Sequence, residues 1–195
     1  MKQRKTQRSA DMDIQSPGSR LSRAFTLIEL IIAMAIIAVV LSVGVPGITS
    51  LAGNGRITSA VNSVVRHLHY ARSEAVRRSR PVVLCPSLAG TGCDDSFHWE
   101  QGFMLFADNN ADRIPDDGDS ILRHFRPDES RTRILTSPGR KKITYQASGM
   151  SPGSTATFTI CDPDGRAAPK AVILSNPGRP RLSDFRADGS PLACI

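Results

Sequence analysis

The chain has 195 residues, 40% hydrophobic and 22% charged, with a formal net charge of +7. That composition excludes a disordered polymer, and its ten aromatic residues leave the core to Val, Ile, Leu and Ala. The positive charge is uneven: residues 1–24 hold six basic side chains (Lys2, Arg4, Lys5, Arg8, Arg20, Arg23) against Asp11 and Asp13. Without them the chain keeps 19 basic and 16 acidic side chains, a net +3. Bulk basicity is then no argument for a polyanion partner, and only a local cluster would be.

Residues 25–45 (FTLIELIIAMAIIAVVLSVGV) form a run of 21 residues with one charge, Glu29. As a helix it reaches ~31 Å, the thickness of a bilayer's hydrocarbon core. It is too long for a secretory h-region, and no A-x-A site closes it. The basic flank predicts residues 1–24 on the cytoplasmic side and the rest outside. An ionisable group inside such a span costs ~2.5–3.5 kcal/mol at its centre. Glu29 lies near one edge, so it is either a snorkelling carboxylate or a group awaiting a positive partner.

Ala24-Phe25-Thr26-Leu27-Ile28-Glu29, behind a basic leader, resembles the class III signal of type IV pilins and type II secretion pseudopilins. The resemblance implies cleavage by a prepilin peptidase between Ala24 and Phe25, with methylation of the new Phe25 amine. It implies that Glu29 pairs with that amine on a neighbouring subunit, and that Pro46 is the helix-kinking proline. Ala24 departs from the family's usual Gly, which predicts slower processing.

Beyond Pro46, Gly47 and Gly53-Asn54-Gly55 weaken helix propensity locally. Ile57, Ala60, Val61, Val64, Leu68, Ala71 and Ala75 then recur at spacings of three and four, an apolar stripe predicting an amphipathic helix over 56–79. Pro81 ends it. Short strands are expected at 82–85, 120–126, 142–147, 155–161 and 170–175. Residues 97–107 are expected as a hairpin or a strand bulged at Gly102. Pro, Gly, Asp and Ser turns separate them, as in an antiparallel domain.

Ala71-Arg72-Ser73-Glu74-Ala75, Arg80-Pro81-Val82, Cys85-Pro86-Ser87, Gly102 through Asp108 and Ile121-Leu122-Arg123 resemble the GspH/FimT group of minor pilins and pseudopilins. The implied fold is α+β and pilin-like: a long N-terminal helix, half transmembrane and half amphipathic, packed on two antiparallel β-sheets. The implied organisation is a leader (1–24), a membrane and assembly helix (25–52) and a periplasmic globular domain (53–195). The implied place is the inner membrane, crossed once, and the outside of the cell once assembled. The implied partners are other major and minor pilins and the prepilin peptidase.

Cys85, Cys93, Cys161 and Cys194 form no zinc pattern, and an even count behind a membrane-targeting segment fits two disulfides. Three pairings are open; Cys85–Cys93 with Cys161–Cys194 is favoured because the first closes a short Gly-rich loop. Asp108, Asn110, Asp112 and Asp119 fall at places 1, 3, 5 and 12 of a calcium-loop count. Arg113 stands where that loop wants Gly and Pro115 opposes its bend, so an acidic β-turn without metal is expected. The four His residues are dispersed, and no P-loop, nucleophile elbow or dinucleotide fingerprint appears. The expectation is a non-enzyme with no cofactor and no small-molecule substrate.

The sharpest binding candidate is Gly178-Arg179-Pro180-Arg181. Two Arg side chains spaced by one residue in an extended segment point to one side and suit adjacent phosphates. The Gly-Arg-x-Arg form is similar to one carried by DNA-binding FimT-type minor pilins. Lys170, Arg166 and Arg186 would widen the patch towards double-stranded DNA captured for natural transformation. The alternatives are a plain charged loop pinned by a Cys161–Cys194 bridge, or a type II secretion pseudopilus subunit that binds no DNA.

Overall fold

The computed structural model describes residues 25–126, 132–137 and 139–194, with backbone alone for 43–49. The leader with Ala24, and the side chain of Pro46, lie outside the described residues. The chain divides into two compact units, residues 1–42 and 43–195. Helix α1 (Leu27–Arg78) contributes to both.

In the first unit Thr26 starts the helix. Its Oγ1 accepts the Glu29 amide at 3.3 Å, and its carbonyl accepts Leu30 N–H at 3.2 Å. Thr26-x-x-Glu29 thus spells a capping box, and Glu29 adds negative charge to the first turn, where the helix dipole favours it. Every large apolar side chain from Phe25 to Leu41 is more than half exposed. Among the described residues no helix is long and apolar enough to cross a membrane; the apolar run continues into residues 43–45, whose side chains are not described.

In the second unit the helix stays continuous through Gly53-Asn54-Gly55. A Cβ at Gly53 would meet Ala167, Arg166 and Asp162 at 3.2 Å, so glycine there makes room for a neighbouring turn. The predicted stripe, Ile57 to Ala75, is buried along its length. The helix ends one residue before the expected boundary. Ser79 takes a left-handed conformation (φ 52°), while Ser79 N–H bonds Val76 O and Arg80 N–H bonds Ala75 O, each at 3.2 Å. This pair of bonds closes the last turn and satisfies its free carbonyls.

One antiparallel sheet has the order β3-β2-β1-β5, from β1 (Val82–Pro86), β2 (Phe103–Ala107), β3 (Ser120–Phe125) and β5 (Ile143–Tyr145). The other has the order β4-β6-β7-β8, from β4 (Arg133–Leu135), β6 (Ala156–Cys161), β7 (Lys170–Leu174) and β8 (Pro180–Ser183). The helix stripe, Val82, Leu84, Leu105, Ile143 and Tyr145 of the first sheet, and Phe158, Ile160, Val172 and Leu174 of the second share one core. Leu68, 1% exposed at its centre, would cost ~2–5 kcal/mol on truncation to Ala. The opposite face of the first sheet buries Val83, Cys85, Met104 and Phe106, with Cys93 packed on them. The structure pairs Cys85 with Cys93 and Cys161 with Cys194.

Three expectations are corrected. Residues 97–107 are no hairpin: His98 bridges Leu135 beside β4, Gly102 turns the chain at φ 116°, and only 103–107 join the first sheet. Trp99 explains the detour, because it sinks into the core against Phe158 (centroids 5.1 Å apart) and donates from Nε1 to Thr136 Oγ1 at 3.0 Å. The register irregularity lies instead where Leu105 faces Arg123 and Phe106 faces Ile121, which leaves Leu122 unpaired. Strands β4 and β8 were not expected at all.

Candidate nucleic-acid interface

Strand β8 is the edge of its sheet, pairing Leu174 with Pro180, Ile173 with Arg181 and Val172 with Leu182. Pro suits the first residue of an edge strand, where no ladder donor is lost. Val172 and Leu174 face the core, so by alternation Pro180 and Leu182 lie on the helix side and Arg179 and Arg181 on the outer side. Both arginines are exposed. Neither makes an ion pair among the described residues.

The turn before them is firmly mounted. Gly178 N–H bonds Ser175 O at 2.8 Å, and Ser151 N–H bonds Asn176 O at 2.8 Å. Arg72 Nη1, on α1, donates to Gly178 O at 3.3 Å. Gly178 has φ 74° and is buried; a Cβ there would overlap the Gly149 carbonyl oxygen and come within 3.0 Å of the Tyr145 ring. The glycine of the Gly-Arg-x-Arg segment is therefore required by packing. Burial pushes the Tyr145 hydroxyl pKa upward, only partly offset by Arg72, so it remains a neutral phenol.

Of the residues expected to widen the patch, Lys170 and Arg166 have acidic partners. Lys170 Nζ is paired with Asp184 Oδ1 at 2.5 Å, and the register places Lys170 at the end of β7 away from Arg181, on its core-facing side. Arg166 pairs with Asp164 at 3.4 Å, and its amide bonds Asp162 Oδ2 at 2.9 Å. Arg56 of α1 approaches the same two aspartates at 3.8 and 3.6 Å. That cluster fastens the β6–β7 turn to the helix. Arg186 does share the outer face, lining a hollow with Thr157, Ile173, Arg140 and Asp188. Sequence reading missed Arg140 and Arg72; the first sits near a short strand with no period, and the second is 106 residues from the turn it holds.

Among the described residues no three His, Cys, Asp or Glu side chains form a metal-holding group. His67, half-buried beside Phe125 and Phe103 (centroids 3.7 and 5.0 Å), has its pKa pushed down to about 4 by desolvation, then by Arg66 and Arg123.

A long N-terminal helix whose C-terminal half packs on two antiparallel sheets defines a pilin-like filament subunit rather than an enzyme. The chain belongs to the family described as "Type II transport protein GspH", which it matches over residues 60–178, and its group is that of the GspH/FimT-type minor pilins. Residues 19–45 match the prokaryotic N-terminal methylation motif, the mark of a class III signal. Pilin-like protein PilA1 of Thermus thermophilus is 29% identical over 165 residues, covering 82% of this chain and 97% of that protein. The type IV minor pilin FimU of Pseudomonas aeruginosa has the same fold in two crystal forms. One has TM-score 0.54 at 21% identity, covering 73% of this chain and 97% of FimU. The other has TM-score 0.51 at 22% identity, covering 71% and 99%. Association with other pilins and with the prepilin peptidase follows from the family.

Proposed function

We propose that this minor pilin is anchored by residues 25–45 in the inner membrane, is cut between Ala24 and Phe25, and enters a type IV pilus-like filament whose head captures DNA for uptake. The observation that supports DNA capture is the exposure of Arg179 and Arg181 on one face of an edge strand, without acidic partners among the described residues. Guanidinium groups so presented suit successive phosphates. The test is retardation of duplex DNA by the processed chain. Binding should weaken steeply as salt rises, because phosphate contacts release counterions. Arg179→Ala with Arg181→Ala should abolish it with the fold intact. No retardation at low salt would end the DNA reading.

The assembly reading rests on Glu29. In lipid its carboxylate is costly, and the Phe25 amine of a neighbour offsets that cost once helices pack. Glu29→Ala should insert normally yet co-purify poorly with the other minor pilins. Undiminished co-purification would remove Glu29 from assembly.

A second reading is favoured by the family description itself: a pseudopilus subunit of type II secretion that binds no DNA. It shares the helix and its processing. Loss of secretion, with transformation intact, in a strain lacking the gene would select it.

A further inference from the structure

We infer that the hollow between Arg140 and Arg186, on the outer face of the second sheet, is a phosphate-binding subsite, so that the DNA interface runs inward across the sheet instead of ending at edge strand β8. The inference rests on the DNA reading above and adds to it a second contact point. The sheet places the hollow beside the arginine pair. Ala156, Phe158, Val172 and Leu174 face the core, so by alternation Thr157 and Ile173 face outward. Thr157 pairs with Ile173, and Ile173 pairs with Arg181. The three form one row across β6, β7 and β8, whose strands lie ~4.8 Å apart. Thr157 and Ile173 line the hollow, so Arg181 stands one strand away from it.

Its two arginines come from separate connections, and each is mounted. Arg140 lies between β4 and β5. Its N–H bonds Ser137 O at 2.8 Å, its carbonyl accepts from Thr136 Oγ1 at 2.6 Å, and its Nη1 donates to Gly153 O at 2.7 Å. A guanidinium has several N–H donors, so one bond to a neutral carbonyl leaves its charge and most of its donors unused. Arg186 follows β8. Its N–H bonds Ser190 O at 2.9 Å, and its carbonyl accepts Gly189 N–H at 3.1 Å. Phe185 bridges Pro191 on either side of that turn, and Cys194 ties the segment to Cys161 of β6. Both guanidinium groups are therefore held over the sheet before any ligand arrives, which lowers the ordering cost of binding.

Neither arginine makes an ion pair among the described residues. Asp188 also lines the hollow, but its Oδ1 accepts the amide and the hydroxyl of Ser190 at 2.9 and 2.6 Å. Two guanidinium groups against one carboxylate leave the hollow net positive. The Thr155 and Thr157 hydroxyls add neutral donors at its wall. Arginine and hydroxyl donors together are what phosphate oxygens take in backbone contacts. Ile173, 4% exposed, closes the floor and offers no side-chain acceptor to compete.

The test is the salt dependence of duplex retardation by the processed full chain. The logarithm of the association constant falls against the logarithm of salt concentration with a slope of about 0.9 for each phosphate contacted. Arg140→Gln and Arg186→Gln should each make that slope shallower by about 0.9, and both together by about 1.8. Arg186→Lys, which keeps the charge, should keep the slope. Arg166→Gln is the control, because it removes the same charge from an arginine paired with Asp164 outside the hollow, and it should leave the slope unchanged. Should loss of the Gly153 bond unfold the Arg140 variant, Arg186→Gln decides alone. No retardation by the unaltered chain at low salt ends the DNA reading and this inference with it. Retardation with an unchanged slope in the hollow variants overturns the inference and leaves the DNA reading resting on Arg179 and Arg181. An equal loss of slope in Arg166→Gln also overturns it, since net charge and not the hollow then sets the slope.

Discussion

Arg72 Nη1 on helix α1 donates to the carbonyl oxygen of Gly178 at 3.3 Å, joining positions 106 residues apart. The bond fixes the turn that presents Arg179. Arg72→Ala leaves that part-buried carbonyl without its charged donor and should cost ~1–2 kcal/mol, read as a lower urea midpoint. If the two arginines bind DNA, the same variant should also weaken retardation, because the arm is no longer held in place.

Two glycines give a matched comparison at the same turn geometry. Gly178→Ala combines a left-handed φ of 74° with overlap on the Gly149 carbonyl oxygen, and should cost more than ~2 kcal/mol. Gly165 has φ 65° with nothing within 4 Å of its Cβ position, so Gly165→Ala should cost only ~1–2 kcal/mol of backbone strain. Thermal unfolding of the pair separates conformation from collision.

His67 makes stability pH-dependent. Its folded pKa, pushed down to about 4, lies below the ordinary 6.5, so the unfolded chain binds more protons between those values. Stability contributed by neutral His67 is therefore full above pH 6.5 and lost as pH falls towards 4. Allowing for partial solvent screening, the loss is on the order of 1–2 kcal/mol. Urea titrations at pH 7.5 and 4.5 should show that difference, and His67→Gln should reduce it.

The disulfides should differ in weight. Cys161–Cys194 spans 33 residues and Cys85–Cys93 only 8. Chain-entropy arguments give ~4 and ~2.5 kcal/mol respectively. Cys161→Ser with Cys194→Ser should then lower the unfolding midpoint more than Cys85→Ser with Cys93→Ser.

The helix was readable because Ile57 to Ala75 repeat every three or four residues over five turns, a signal no short strand can match. Strands β1, β3, β5, β6 and β7 were readable as apolar runs between turn residues. Strand β4 was not, since Arg133-Ile134-Leu135 is too short to display a period. Strand β8 did carry one, with Pro180 and Leu182 inward and Arg179 and Arg181 outward, but a proline and two arginines read as an extended connection rather than as a strand of the sheet. The arginine pair itself was legible because residues two apart in any extended chain share a side. Its mount was not, because Arg72 and Gly149 reach Gly178 only through tertiary packing.

The mounting of Gly178 bears on any attempt to graft the Gly178–Arg181 segment onto another scaffold. Four transplanted letters would carry the two guanidinium groups but leave behind the helix arginine, the carbonyl shelf of Gly149 and the tyrosine ring that shape the turn. A free peptide of this sequence should therefore be a poor mimic of the protein, and a useful graft must take the β7–β8 hairpin together with the residues beneath it.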